Sequence, residues 1–514
     1  MNSCGFRTCW PVFALLIAGA LFYAPARAVR ADEPVAKEPA AAEPAAKEPA
    51  AKEPAAKEPA AKEPAAKDDD SPAARAKRDE EYELLKLFAD TMDQVERNYV
   101  KDISRRELFE AAIRGMIAKL DPYSNYIPPA EIEGFKGSVE SEFGGIGIQI
   151  EIKNGRLLIV SPMYGTPAYR AGLIAGDWIT DIDGQNTRTI SLDEAVKRLK
   201  GKIGTSVRVA VSRGADSKVE TVTLVRETVR VDTVLGERHK DNDAWDYVYD
   251  REKKIGYVRI TAFGRHTTQE LHRVLDELTA EKLRGLVLDL RFNPGGLLSS
   301  AIEVSDLFVA DGKIVSTAGR NVPERTVMAH KEGTFEGFPI AVLVNRYSAS
   351  ASEIVSACLQ DHDRAIVVGE RTWGKGSVQN IIELEEGKSA LKLTTAGYLR
   401  PNGKNIHRIE GATESDEWGV RPNDGYEIRL PDAELRQLIE DRRQRDILRK
   451  TTKDAPVKDA PAKETPVKDS AGKEPPFVDR QLQKALEFIN TKLAEASPAP
   501  AAPSAPEPAP PSPK

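Results

Sequence analysis

Apolar residues change their spacing several times along this chain, and each change predicts a different element. The first is a continuous apolar run over 10–23, preceded by Arg7 and followed by Ala-Pro-Ala-Arg-Ala and Val-Arg-Ala. That order has the form of a secretory signal peptide, residues 1–31, cut after Ala28 or Ala31. The run, about 14 residues, is short for a bilayer span; uncleaved, it would tether the chain to a membrane. From 79 the spacing turns helical, with Leu84, Leu85, Phe88, Met92, Val95 and Tyr99, then Phe109, Ala112, Ile113, Met116, Ile117 and Leu120. These stripes predict a helical segment over 79–135 whose apolar faces pack into a core.

Residues 143–226 change style again. Glycines crowd 144–147, strands are expected at 157–160, 206–212 and 219–225, and Ser191 with Glu194 forms a capping box before Leu192, Ala195, Val196 and Leu199. From 255 strands and helices alternate: strand 255–260, a helix near 267–282, strand 286–290, strand 340–345, a helix through Gln360 and strand 365–369. Alternation of this kind predicts an α/β core, 227–450. A last apolar helix, with Phe477, Leu482, Ala485, Leu486 and Ile489, is expected over 476–495 and to dock on the globular body.

Between and beyond these lie stretches that cannot fold. Residues 32–72 repeat Lys-Glu-Pro-Ala-Ala with proline at every fifth place, which forbids a continuous helix and leaves little to bury. Segments 451–475 and 496–514 are also low-complexity, so disordered ends and spacers are expected. Charge is balanced, with 74 Lys+Arg against 80 Asp+Glu and a net −6, which argues against a nucleic-acid binder. There are three cysteines, two of them in the leader, leaving Cys358 as the thiol of the mature chain. A disulfide framework or cysteine zinc site within one chain is thereby excluded. The six histidines are scattered, no His-Glu-x-x-His occurs, and no cofactor or metal is implied.

The chemistry gathers in three places. Strand 286–290 runs into Arg291-Phe-Asn-Pro-Gly-Gly296, strand 340–345 into Ser348-Ala-Ser350-Ala-Ser352-Glu353, and strand 365–369 into Gly374-Lys375-Gly376-Ser-Val-Gln379. A serine hydroxyl is a weak nucleophile and needs a base. A lysine can serve if its pKa falls by about 3 from ~10.4, and burial against Trp373 and Val378 would supply that. Ser350 at a helix start would place the Ala351 N–H at a developing negative charge. Two rivals fall short. His362 lies between aspartates at what reads as a helix end, away from Ser350, and no Gly-x-Ser-x-Gly elbow occurs. The P-loop-like Gly369-x-x-x-x-Gly374-Lys375 is followed by Gly376 where Ser or Thr is required.

Two resemblances follow. Residues 143–226 resemble a PDZ domain, whose carboxylate-binding loop corresponds to Gly145, Ile146 and Gly147. A substrate strand would add beside Ile148. The order Leu120-Asp-Pro-Tyr-Ser-Asn-Tyr126, PDZ module, Asp289-Leu-Arg-Phe-Asn-Pro-Gly-Gly296, Ser-Ala-Ser-Ala-Ser-Glu and Gly374-Lys-Gly-Ser-Val-Gln379 resembles the carboxyl-terminal processing proteases over 80–440. That resemblance implies a mixed-sheet α/β Ser–Lys peptidase core with an inserted PDZ domain, acting in the periplasm or cell envelope on proteins or peptides with free C-termini. Ser350 would be the nucleophile, Lys375 the base, Gln379 its orienter, and Gly295 and Ala351 the oxyanion donors. Tyr347, Trp373 and a long 409–418 connection depart from the family's usual pattern. The different-class alternative is a non-catalytic PDZ scaffold in the envelope. Substrate identity, any regulator and whether the chain forms a homo-oligomer are not legible in the sequence.

Overall fold

A computed structural model describes residues 71–140, 142–213, 219–448 and 477–496. The leader, the repeat over 33–70, the linker 451–475 and the tail beyond 496 lie outside the described residues. Among the described residues no helix is long and apolar enough to cross a membrane. The chain divides into two compact units, Met1–Lys119 and Leu120–Lys514.

The first unit contributes two helices, Pro72–Asn98 and Arg105–Ile117. The first starts earlier than its apolar stripe, because Ser71 caps it by accepting the Ala74 N–H (3.3 Å) and Pro72 is tolerated at the first turn. The second opens on a capping box of Ser104 and Glu107. The expected core does not form on this stripe: Leu84, Leu85 and Tyr99 are exposed, and Met92 and Ile117 are buried. Phe88 and Phe109 meet edge-on, with centroids 6.0 Å apart. Helix Pro72–Asn98 has 27 residues against 13 in Arg105–Ile117, so the shorter helix cannot cover the longer one's stripe.

In the second unit the central sheet runs 234–235, 255–260, 285–289, 340–344, 365–369, with 248–250 added antiparallel beside 255–260. The four strands from Ile255–Ile260 to Ala365–Gly369 are parallel and buried along their length, so their sequences read as near-continuous apolar runs. Helices Thr267–Ala280, Leu298–Asp306 and Ala351–Asp361 pack in one large core with these strands. The expected C-terminal helix, Arg480–Glu495, sits in a second cluster, where Leu482, Ala485 and Ile489 meet Ile255, Tyr257, Val287 and Leu343.

This helix also enters a buried charge network. Arg291 forms a two-pronged contact with Asp479 (2.9 and 2.8 Å) and also donates to Gln481 (3.0 Å) and Asp289. Burial alone would raise the pKa of Asp289, but Arg291 and Arg442 hold it well below the carboxylate range.

A second sheet stands beside the core: Asn125–Ile127, Ser389–Leu399, Lys313–Gly319 and Val322–Met328, with Ser377–Leu384 pairing Ser389–Leu399. Residues 125–127, expected inside the helical segment, are therefore a strand of this sheet. A separate sheet, in the order 148–153, 156–162, 177–182, 206–213, 220–225, and the helix Leu192–Leu199 enclose their own core, including Ile159, Ile179 and Val209.

Candidate active site

Three loops leave the carboxyl ends of neighbouring parallel strands Gly285–Asp289, Ile340–Val344 and Ala365–Gly369, the edge where open α/β sheets gather ligands. The middle loop ends at Ser350, with φ 55° and ψ −113°, sterically poor for any residue with a Cβ. A strained strand-to-helix turn is how other hydrolases present a serine, here with Ser348 and Ser352 at the two places where those enzymes have glycine.

The neighbouring serines hold the turn. Ser348 Oγ donates to Leu290 O (2.8 Å) and accepts the Asn345 N–H (2.9 Å). Ser352 Oγ donates to Asn293 O (2.9 Å), which also accepts the Ala349 N–H (3.0 Å). Of the three serines, Ser350 is the one whose hydroxyl donates to no main-chain carbonyl among the described residues. Its hydroxyl instead interacts with the phenol of Tyr398, whose pKa burial raises and that hydrogen bond opposes.

The Ala351 N–H, at the start of helix Ala351–Asp361, has no hydrogen-bond partner among the described residues. The Gly295 N–H, by contrast, donates to Asn293 Oδ1 (2.9 Å). Gly295 lies so close to the nucleophile turn that a Cβ there would stand 2.7 Å from Ala349 O and 2.8 Å from Ser350 Cβ. The loop thus admits no side chain at this point.

The third loop carries Lys375. Its Nζ sits 5.1 Å from the ring centroid of Tyr123 and has no hydrogen bond or ion pair among the described residues, so it is not bonded to Ser350 Oγ. Burial, then Lys392, lower its pKa to about 8, against the pull of Glu353 and Asp121. Roughly one molecule in ten then carries a neutral Lys375 at pH 7. Trp373, expected to supply the apolar cover, is half exposed, and Tyr123 is the aromatic over the amine instead. Gln379 is not brought to the amine either. Its Nε2 donates to Ser377 Oγ (2.9 Å) and Thr394 Oγ1 (3.2 Å). The 409–418 connection braces this loop from the far side: Arg371 stacks on Trp418, 3.5 Å from its centroid, and Arg408 N–H donates to Gly374 O (2.8 Å).

Sequence reasoning missed the group that joins these loops. Glu353 is fully buried, and its two oxygens accept four hydrogen bonds: from Ser350 N (2.8 Å), Lys375 N (2.8 Å), Gly374 N (2.6 Å) and Thr372 Oγ1 (2.5 Å). Burial pushes its pKa up and these bonds oppose the shift. The signal was its place three residues after Ser350, that of a capping-box glutamate.

The rivals do not fit this geometry. His362 caps the far end of helix Ala351–Asp361, about 16 Å away at 1.5 Å per residue, and its Nε2 pairs with Lys313 O (2.7 Å). The Gly374–Lys375–Gly376 loop enters strand Ser377–Leu384, not the helix a P-loop needs. Cys358 is buried, with its thiol pushed up to about 12.

A second candidate site lies in the sheet that starts at Ile148. Strand Ile148–Lys153 is the outer strand, so its free edge can accept another. Just before it, the N–H groups of Ile146 and Gly147 have no hydrogen-bond partner among the described residues, and Gly145 pairs with Glu227. Ile146 O accepts the Ala168 N–H (2.9 Å) and Gly147 O the Met163 N–H (2.9 Å), fixing the loop's shape.

Comparison with known proteins finds a peptidase family and a PDZ domain in this chain. The model of peptidase family S41 matches residues 254–422, that of the PDZ domain 158–213, and that of the activating protease CtpB N-terminal domain 17–129. The carboxy-terminal-processing protease of Bartonella bacilliformis is 37% identical over 381 residues, covering 71% of this chain and 82% of its own. The carboxy-terminal processing protease CtpA of Bacillus subtilis is 36% identical over 353 residues, covering 68% and 70%. Among solved structures, the photosystem II D1 C-terminal processing protease shares 29% identity, covering 67% of this chain and 92% of its own, with a TM-score of 0.38.

Proposed function

Because the chain belongs to the carboxy-terminal processing proteases of peptidase family S41, and is a serine-type peptidase with a PDZ domain, we propose that Ser350 and Lys375 form its catalytic pair. Neutral Lys375 Nζ takes the Ser350 Oγ proton as Oγ attacks the scissile carbonyl carbon, and the lysine then gives that proton to the leaving amine. Water, deprotonated by the same amine, hydrolyses the acyl-enzyme. The Ala351 N–H stabilises the oxyanion without rearrangement; Gly295 joins it once its N–H leaves Asn293 Oδ1. Closure of Lys375 Nζ onto Ser350 Oγ is the step that substrate binding completes.

The observation that carries this reading is Glu353, one buried carboxylate that fixes the backbone of both Ser350 and Lys375. The free N–H groups of Ile146 and Gly147 beside an open strand edge support recognition of a substrate's terminal carboxylate; the same module can also gate the catalytic loops. The apolar run at 10–23 supports export to the periplasm or envelope, with substrates that are proteins or peptides bearing free C-termini. Mass spectrometry of the termini of an unfolded substrate tests the reaction: cleavage near the C-terminus is expected with the native protein and none with Ser350→Ala. Unchanged cleavage in that variant overturns the pair.

A further inference from the structure

Lys375 is faced by charged groups from three elements besides its own loop. Glu353 belongs to helix Ala351–Asp361, Asp121 to the turn before strand Asn125–Ile127, and Lys392 to strand Ser389–Leu399. The turn is rigid: Asp121 Oδ1 accepts the N–H groups of Tyr123 (2.7 Å) and Ser124 (2.8 Å), and Oδ2 accepts Ser124 Oγ–H (2.8 Å).

The turn is also fastened to the strand. Ser124 Oγ accepts the Thr394 N–H (3.0 Å) and donates to Thr394 Oγ1 (3.3 Å), while Asn125 is the register partner of Lys392. Residues two apart on a strand share a face. Lys392 therefore emerges on the side of Thr394 Oγ1, where Gln379 also bonds, and the turn fastened to Thr394 carries Tyr123, the ring beside the base. Lys392 is half-buried and has no ion pair among the described residues. Burial lowers its own pKa and Asp121 opposes that.

We propose that Lys392 is a positioning residue for peptide hydrolysis: a second ammonium group, held beside Lys375 by the Ser124–Thr394 fastening, that acts through space to favour the neutral form of the base. A like charge disfavours the charged form of its neighbour, and a nearby cation is one recognised way to activate a lysine. Asp121 is the counterweight, because its carboxylate favours the charged form of both lysines. The inference rests on the reading of Lys375 as base.

The test is the pH profile of kcat/KM on a short chromogenic peptide, for the full chain. Lys392→Gln and Lys392→Met are expected to move the rising limb to higher pH by about half a unit to one unit. Activity at pH 7 then falls about three- to tenfold, and full activity returns at high pH, since neutral amine falls tenfold per unit below its pKa. Lys392→Arg keeps the charge and the native profile, and Asp121→Asn moves the limb to lower pH.

An unchanged midpoint in Lys392→Gln and Lys392→Met, or a raised KM with native kcat, overturns the proposal, the latter because Lys392 would then be holding substrate. Should the Lys392 variants fail to fold, Ser124→Ala, which releases the fastening that holds Lys392 beside the base, carries the test, and an unmoved limb there overturns the proposal equally. Lys375→Ala separates the two levels. If it is inactive while the Lys392 midpoint stays put, this inference alone fails. If it remains active, the catalytic pair fails first.

Discussion

Two glycine loops do opposite things with the same backbone. At 145–147 and at 374–376 a side chain is barred because another segment lies too close: a Cβ on Gly147 would meet Thr166 Cβ at 2.3 Å, and one on Gly376 the His407 N at 2.3 Å. The difference is in where the N–H groups point. Those of Ile146 and Gly147 are left open beside a strand edge, whereas those of Gly374 and Lys375 turn inward onto Glu353. The first loop offers its main chain to a ligand; the second uses its main chain to aim one side chain. Charge-neutral changes of shape should therefore harm the first loop, and changes of charge or acceptor the second.

The sharpest test of that contrast is Lys375→Arg. It keeps the positive charge but cannot lose a proton near neutrality, so hydrolysis should fall at least about a thousandfold on both proteins and short peptides. Next comes Glu353→Gln, which leaves a nearly isosteric group with one acceptor oxygen in place of two. A loss of about a hundredfold in kcat is expected from the resulting misplacement of Ser350 and Lys375, measured beside thermal unfolding to confirm a folded chain. Gly147→Val should act on the other loop alone: cleavage of an unfolded protein drops while a short peptide is turned over as before, and amidating the protein's C-terminus mimics the effect. Equal losses on both substrates would erase the distinction. The smallest change is expected from Gln379→Ala, a few-fold, because its amide braces Ser377 and Thr394 and does not reach the amine.

The pH dependence follows from the sign of one shift. Lys375 must lose its proton to work, so kcat/KM of the native protein should rise with pH through about 8 and level off above it. A rise centred near 10 would mean that the burial of Lys375 and the charge of Lys392 do not act in solution.

The three loops were legible in the sequence because each follows a buried apolar strand directly and carries its residues contiguously. Glu353 stands in a cap position, but its role as a hub was hidden, since its other partners, two backbone N–H groups and the Thr372 hydroxyl, lie on a loop some twenty residues on. The nearness of Asp121 to Lys392 was hidden by a sequence distance that only the register of Asn125 with Lys392 closes. Periodicity misled at Leu84, Leu85 and Tyr99, because helical spacing reports an apolar face and says nothing of what lies against it. Trp373 misled for a related reason: being next to Lys375 in sequence does not place an indole over its amine.

The contact between Arg291 and Asp479 joins positions 188 residues apart, and that gives the protein a clock. Ser350 and Lys375 are synthesised well before Asp479 and Gln481, and at 5–20 residues per second the interval from Arg291 to Asp479 lasts roughly 10–40 s. During that time Arg291, at the strand end that leads into Asn293 and Gly295, has Asp289 as a partner but lacks Asp479 and Gln481. The last support of the loop that carries Gly295 thus arrives with a helix made well after both the nucleophile and the base.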